Sequence, residues 1–481
     1  MKKIAWICLL MVIALISKAQ DCTCMDSFLW LKETMEKNDA GFAYVLKQKG
    51  EAAYTAHNRE FETKIKAVSS GHQPCTDLLR YWLQFFREGH IWLAPKFFDE
   101  PSEKSKEEIS RRSKNWPRHA YSEKEFNTYL STLKTPSFEG IWEIEPYLLG
   151  VKKVKNEYLG FVIKAEGTPW VNSQIKFIIR ENNGNHTATY FTREFDSVSI
   201  NSAKMKGNNF MDLDYFPFKR VAHLYPDSPT DVDTKLLNAE KPQFLKLSDQ
   251  TVLLRIPTFD HTQKQVIDSV ILANKKLIHA TPNLILDIRY NGGGSDFSYN
   301  ELLPIMYTNP IRSVGVEYWS TPANNKRMLD FLDYPEFSEE EKEWARKSYK
   351  TLSENLGKFV NLDTSVVSIT SFDTVYAYPA QIAILVNEGN ASTSEEFLLA
   401  AKQSTKVKLY GNTTFGALDI SNMYEAVSPC GNYTLGYCLS RSMRIPDFTV
   451  DGKGIQPDIY LDKSVPKTDW ITFVQKQLEA R

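Results

Sequence analysis

The stretch Asn283-Leu284-Ile285-Leu286-Asp287-Ile288-Arg289-Tyr290-Asn291-Gly292-Gly293-Gly294 decides how the chain is read. Its first half is largely apolar and reads as a buried strand. The glycines that follow let a side-chain-free backbone turn sharply and present amide hydrogens. The triplet is not a dinucleotide fingerprint: with Gly292 and Gly294 set on the first two glycines of G-x-G-x-x-G, Phe297 falls on the third, and no Gly-Lys-Ser/Thr phosphate loop occurs elsewhere. Working outward, residues 251–256 read as a strand and 263–278 as an amphipathic helix. Beyond the glycines come a helix at 299–306, a charged helical insertion at 338–356 opened by Ser338-x-x-Glu341, a buried strand at 381–387, a helix at 392–403 and a strand at 407–410. This alternation predicts an α/β core with a mainly parallel sheet and functional loops at the C-terminal strand ends.

A second loop leaves a buried strand in the same manner: Val386-Asn387-Glu388-Gly389-Asn390-Ala391-Ser392-Thr393-Ser394-Glu395. A helix beginning at Ser392 puts that hydroxyl at a positive helix terminus beside unsatisfied backbone amides. Taken alone, this geometry serves an N-cap with Glu395 as its capping-box partner. A nucleophile would use the same geometry.

The rest of the chain divides by period. Residues 20–136 read as a helical N-terminal domain, with Phe28, Leu31 and Met35 and then Leu78, Leu79, Trp82, Leu83, Phe85 and Phe86 at helical spacing, and Ser122-x-x-Glu125 as a capping box. Residues 137–245 are aromatic-rich and alternating, with turn signals such as Asn183-Gly184, and read as a β-rich barrel or sandwich. Within them the stretch 221–246, carrying Pro226, Pro229 and Pro242, reads as a linker to the core at 246–481, whose helical insertion occupies about 320–365.

Composition excludes whole classes. With 42% hydrophobic and 24% charged residues the 481-residue chain is neither disordered nor collagenous, and 58 basic against 59 acidic residues give no field for nucleic acid. Lys2 and Lys3 followed by an apolar run and Ser17-Lys18-Ala19 predict a signal peptide over residues 1–19, and hence an exported, periplasmic or extracellular protein with no membrane span after its removal. Losing Lys2, Lys3 and Lys18 leaves 55 basic residues and a net charge near −4. Cys22 lacks the small preceding residue of a lipid-modified cysteine. Among the five exported cysteines, Cys430 and Cys438 bracket Gly431-Asn432 and can clip a hairpin, while Cys22 or Cys24 can pair with Cys75. No zinc spacing occurs, so neither metal nor other cofactor is expected.

The two loops, together with Gly411-Asn412-Thr413-Thr414-Phe415-Gly416 and Gly454-Ile455-Gln456-Pro457-Asp458-Ile459, resemble the ordered motifs of the tail-specific, or C-terminal-processing, serine peptidases over about residues 246–462. The resemblance implies a crotonase-like α/β core and places the nucleophile at Ser392, with the amides of Thr393 and Gly293 as oxyanion hole and Glu395 in a supporting position. The family's Ser–Lys enzymes carry a lysine directly after the Phe-Gly of the third motif, where this chain has Ala417. The tricorn-core-like branch instead takes a histidine from an N-terminal segment and an acid just before the last motif. His90, in Arg87-Glu88-Gly89-His90, is similar to the first, and Asp451, in Val450-Asp451-Gly452-Lys453-Gly454, to the second.

The chemistry implied is hydrolysis of polypeptides through an acyl-enzyme on Ser392, with His90 as general base and Asp451 as orienting acid, assembled across a domain boundary. The competing reading is a non-catalytic ligand- or peptide-binding protein on a peptidase-derived core, which has no reason to keep the three residues convergent. An esterase would show a Gly-x-Ser-x-Gly elbow, and none is present. No Gly-Leu-Gly-type carboxylate loop marks a PDZ module in the β-rich region.

Overall fold

The computed structural model describes residues 22–480, except 69–71, 97–102, 183, 215, 336 and 364. The predicted signal peptide, Cys8 and the turn residue Asn183 lie outside the described residues. Two compact units form, each built from separated pieces of chain: Met1–Phe98 as far as it is described, Val314–Ser368 and Ala417–Gly452 in the first, and Asp99–Ser313, Ile369–Gly416 and Lys453–Arg481 in the second.

In the second unit the apolar runs assemble as predicted into a sheet of six strands that pair in sequence order: β1 (Gln243–Lys246), β2 (Thr251–Arg255), β3 (Asn283–Asp287), β4 (Gln381–Val386), β5 (Val407–Gly411) and β6 (Ile459–Tyr460). All neighbours are parallel except β1 and β2. Every residue of β2 and β3 is buried, as expected for strands covered on both faces. On one face Leu253, Ile285, Ala383, Leu385 and Tyr410 pack with Trp470, Val474 and Leu478 of the helix Trp470–Glu479. The helix Lys264–Ile278 buries Ile267, Ile271 and Ile278 along one stripe. Because Asp287 pairs with Leu385, and Val386 with Gly411, the C-terminal ends of β3, β4 and β5 stand side by side and their three loops emerge together.

The same unit holds the β-rich region. Nine strands between Gly140 and Ala222 form one antiparallel sheet, nearly closed on itself, around Trp142, Leu149, Val151, Phe177, Leu213 and Phe218. The barrel-or-sandwich expectation thus becomes a single curled sheet. Buried Lys176 crosses its interior, donating to the carbonyls of Phe191 (2.6 Å) and Thr192 (3.1 Å), with the rings of Tyr147, Trp170 and Tyr190 around its ammonium.

The stretch read as a linker is structured instead. Ser228 caps a helix over Pro229–Leu237, its hydroxyl accepting the Asp231 N–H while the Asp231 carboxylate reaches back, and Gln243–Lys246 forms the edge strand β1. Pro229 misleads because it sits at the helix start, where a missing N–H costs nothing.

The first unit builds its core from both ends of the sequence. Phe28, Tyr54, Trp82 and Phe86, from helices Cys24–Asn38, Glu51–Lys66 and His72–Leu83 and the turn beyond them, cluster with Tyr433, Leu435, Tyr437 and Leu439 of the strand Tyr433–Ser442. That strand pairs with Trp92–Pro95, Val316–Trp319 and Ile420–Val427. The predicted capping box opens the helix Glu339–Ser353, with Ser338 and Glu341 bonded reciprocally. Disulfides join Cys24 to Cys75 and Cys22 to Cys430, and Cys438 is unbonded and buried. The Cys430–Cys438 clip does not form. Cys430 lies in the turn while Cys438 sits opposite Met423 well up the strand, and at about 3.3 Å per residue the two exceed disulfide reach.

Candidate active site

The middle of the three emergent loops carries Ser392. This residue has φ 57° and ψ −128°, a left-handed backbone unusual for a residue with a side chain, and its hydroxyl makes no capping bond to the helix Thr393–Ala401 that follows. The capping-box reading therefore fails at both members. Glu395, fully buried, turns away and accepts the Thr414 hydroxyl at 2.5 Å and the Gly416 N–H at 2.8 Å. It ties the third loop to the helix that begins after Ser392, and Thr414 continues the chain of contacts by accepting the Ile455 N–H at 2.7 Å.

The glycine loop is laced to the serine loop by side chains that sequence reasoning passed over. Asn390 donates to the carbonyls of Ile288 (2.5 Å) and Asn291 (3.2 Å), and Ser394 donates to Asn291 O at 2.7 Å. Asn387 accepts the Tyr290 N–H at 2.9 Å. Gly293, at φ 100°, lies so close that a Cβ on it would meet Ala391 O, the Ser392 Cβ and Thr393 N at 2.8 Å each. Its own N–H donates to Asn291 Oδ1 at 3.0 Å, so an oxyanion bound there has to take that proton over from Asn291.

Beneath the glycine loop lies a buried charge network. Arg289 donates to Asp287 Oδ1 (2.9 Å) and Oδ2 (2.8 Å) and to Asp233 Oδ1 (2.6 Å), while Arg255 donates to Arg289 O at 2.7 Å. Burial opposes the Asp287 charge, but Arg289 and Arg255 beside it hold its carboxyl below the usual range. Asp233 is paired with Arg289, but burial outweighs the nearby arginines and pushes it up to about 6. It lies in the stretch read as a linker, which is why no sequence signal marked it.

His90 and Asp451 belong to the first unit. The Nδ1 of His90 stands 2.7 Å from Ile420 O. A carbonyl oxygen only accepts, so Nδ1 carries the proton and Nε2 keeps the lone pair that a base needs. His90 too has a left-handed backbone, at φ 54°, and its carbonyl accepts Arg87 Nη2 at 3.0 Å and the Cys438 thiol at 3.3 Å. Arg87 is itself fixed by a bidentate pair with buried Asp39 at 2.8 and 2.6 Å. Burial lowers the His90 pKa, opposed by the Ile420 carbonyl and the Asp451 charge.

The Asp451 carboxylate does not take the His90 ring proton. It accepts the backbone N–H groups of Leu418 and Asp419 at 2.6 Å each and of Ile420 at 3.4 Å, and burial raises its pKa. Asp451 thus bears on His90 through its charge and through the backbone whose Ile420 carbonyl orients the ring. Asp419 in turn holds the Asp451 segment, accepting the N–H groups of Val450 (2.6 Å) and Asp451 (2.8 Å). No pattern in the sequence marks a backbone carbonyl as the orienting group.

Residues 250–461 match the model of peptidase family S41. That stretch, just under half of the chain, resembles an S41 peptidase domain. It spans β2 to β6 and includes Gly293, Ser392, Thr393, Glu395 and Asp451, while His90 lies outside its bounds. The domain is similar to a protein described as a probable CtpA-like serine protease from Staphylococcus aureus strain N315, 34% identical over 100 residues, which are 21% of this chain and 20% of that protein. Its counterpart in Staphylococcus haemolyticus strain JCSC1435 is 33% identical over 96 residues, 20% of this chain and 19% of that protein. The chain thus spans about a fifth of the length of the curated relatives it matches. Among solved structures, mature CPAF complexed with lactacystin aligns over 95% of this chain and 98% of its own, with TM-score 0.51 and 12% identity, a likeness of fold. Among the described residues no helix is long and apolar enough to cross a membrane.

Proposed function

We propose that the chain is a serine peptidase that cleaves polypeptides through an acyl-enzyme on Ser392. The observation that carries this reading is the backbone of Ser392: a left-handed serine at a helix start, its hydroxyl not used as a cap, inside the stretch that matches family S41. A residue held in that conformation without structural return marks a functional position. His90 Nε2 is the general base and must come within hydrogen-bond reach of Ser392 Oγ; Ala417 leaves no lysine at the position the Ser–Lys enzymes use. The base takes the serine proton as Oγ attacks the peptide carbon, and returns it to the leaving amine. The Thr393 amide and the glycine loop receive the oxyanion, with Gly293 exchanging Asn291 for the substrate oxygen. Asp451 supports the imidazolium through the backbone of residues 418–420. We read the core as crotonase-like and the protein as exported, on its predicted signal peptide and two disulfides.

Fluorophosphonate labelling tests this reading. Wild type is expected to label, Ser392→Ala not at all, and His90→Ala at least about a hundredfold more slowly. Labelling that survives Ser392→Ala removes the nucleophile.

A further inference from the structure

We infer that Tyr290 and Phe415 read an apolar side chain on each side of the bond under attack; the inference rests on the peptidase reading of Ser392. The three loops leave adjacent strands in the order β3, β4, β5, and the Ser392 loop is the middle one. Tyr290 stands on the loop after β3 and Phe415 on the loop after β5, so the two flank it from opposite sides. Both remain open to solvent, at 50% and 44% of their surface.

A single exposed apolar residue on a protein surface needs no explanation. These two differ in how firmly they are held. Tyr290 has φ 61°, a conformation that a ring-bearing residue adopts only under constraint. Its N–H is fixed by Asn387, and its ring edge lies over Gly389, where an added Cβ would stand 2.7 Å from Tyr290 Cδ1. The Phe415 N–H donates to Asn390 O at 2.9 Å, and Glu395 holds Thr414 before it and Gly416 after it.

Both backbones are therefore locked to the serine loop and helix while about half of each residue's surface faces water, with the Lys467 ammonium 5.9 Å from the centre of the Tyr290 ring. Exposure at that level forgoes much of the free energy that burying a ring would return. An extended polypeptide laid across the strand ends, with its carbonyl at Ser392, meets one ring on either side. The occupant is a segment with a bulky apolar residue on both sides of the bond.

The test uses the full chain carrying Ser392→Ala, which binds but cannot react. Two fluorescent peptides are compared by anisotropy, one with Phe and Leu around its central bond and one with Asp at both places. The apolar peptide is expected to bind about tenfold tighter, Tyr290→Ala or Phe415→Ala to abolish most of that preference, and Tyr290→Phe and Phe415→Leu to keep it. Equal affinity for the two peptides, or a preference that survives both alanine changes, overturns the inference. Labelling of the chain with Ser392 intact decides the peptidase reading separately.

Discussion

In its proposed role as base, His90 is oriented by a carbonyl rather than by a carboxylate. With Ile420 O holding the Nδ1 proton, the ring keeps one tautomer, and burial keeps it neutral to lower pH than a free histidine. The sign follows. A base whose pKa is depressed works above that pKa, so the acid limb of Ser392 labelling is expected below pH 6.5, the ordinary value. A limb centred above pH 7 would remove His90 from the role. The same depression means that the unfolded chain binds the proton more readily, so this residue's contribution to stability shrinks as pH falls through that window.

At the scale of elements, the site depends on how the loops are pinned at their roots. Arg289 keeps both oxygens of Asp287 even when Asp233 is changed, so the two substitutions at Asp233 should part company. Asp233→Asn keeps an acceptor for Arg289 and removes a carboxylate that burial disfavours, and its melting temperature is expected near wild type. Asp233→Ala leaves a buried guanidinium N–H without its acceptor and is expected to cost about 1–3 kcal/mol in denaturant unfolding. Equal losses would show that packing, not hydrogen bonding, is what Asp233 supplies. The strands of the core were legible because runs such as Leu284-Ile285-Leu286 and Ile382-Ala383-Ile384-Leu385-Val386 are apolar without interruption, and the glycines after β3 mark a turn in any context. The lacing by Asn390, the Asp233–Arg289 pair and the seating of Asp451 on residues 418–420 were not legible. Each joins residues far apart in sequence, or uses a backbone group that every residue type carries alike. The linker reading failed for a local reason, since proline at a helix start and proline in a loop look the same until the Ser228–Asp231 cap is considered.

At the scale of the molecule, the cysteines report on both the fold and the processing of the chain. With Cys22–Cys430 and Cys24–Cys75 bonded and Cys438 buried, the native protein without residues 1–19 is expected to give no rapid thiol reaction, and one thiol per chain when unfolded without reductant. A chain that retains Cys8 gives two. A count of three or more would overturn the pairing.

The first unit takes its central strand from Tyr433–Ser442 and the helices packed in the same core, Cys24–Asn38, Glu51–Lys66 and His72–Leu83, from the opposite end of the chain. During synthesis the aromatic faces of those helices therefore emerge hundreds of residues before the strand that covers them, and bringing the two together means closing a very long loop. Cys24 finds Cys75 early, whereas Cys22 must wait for Cys430, and in that interval Cys75 is within reach of either. Neither unit can therefore close until translation is nearly done: the early helices of the first wait for Tyr433–Ser442, and the sheet of the second waits longer still for Ile459–Tyr460 and the helix Trp470–Glu479.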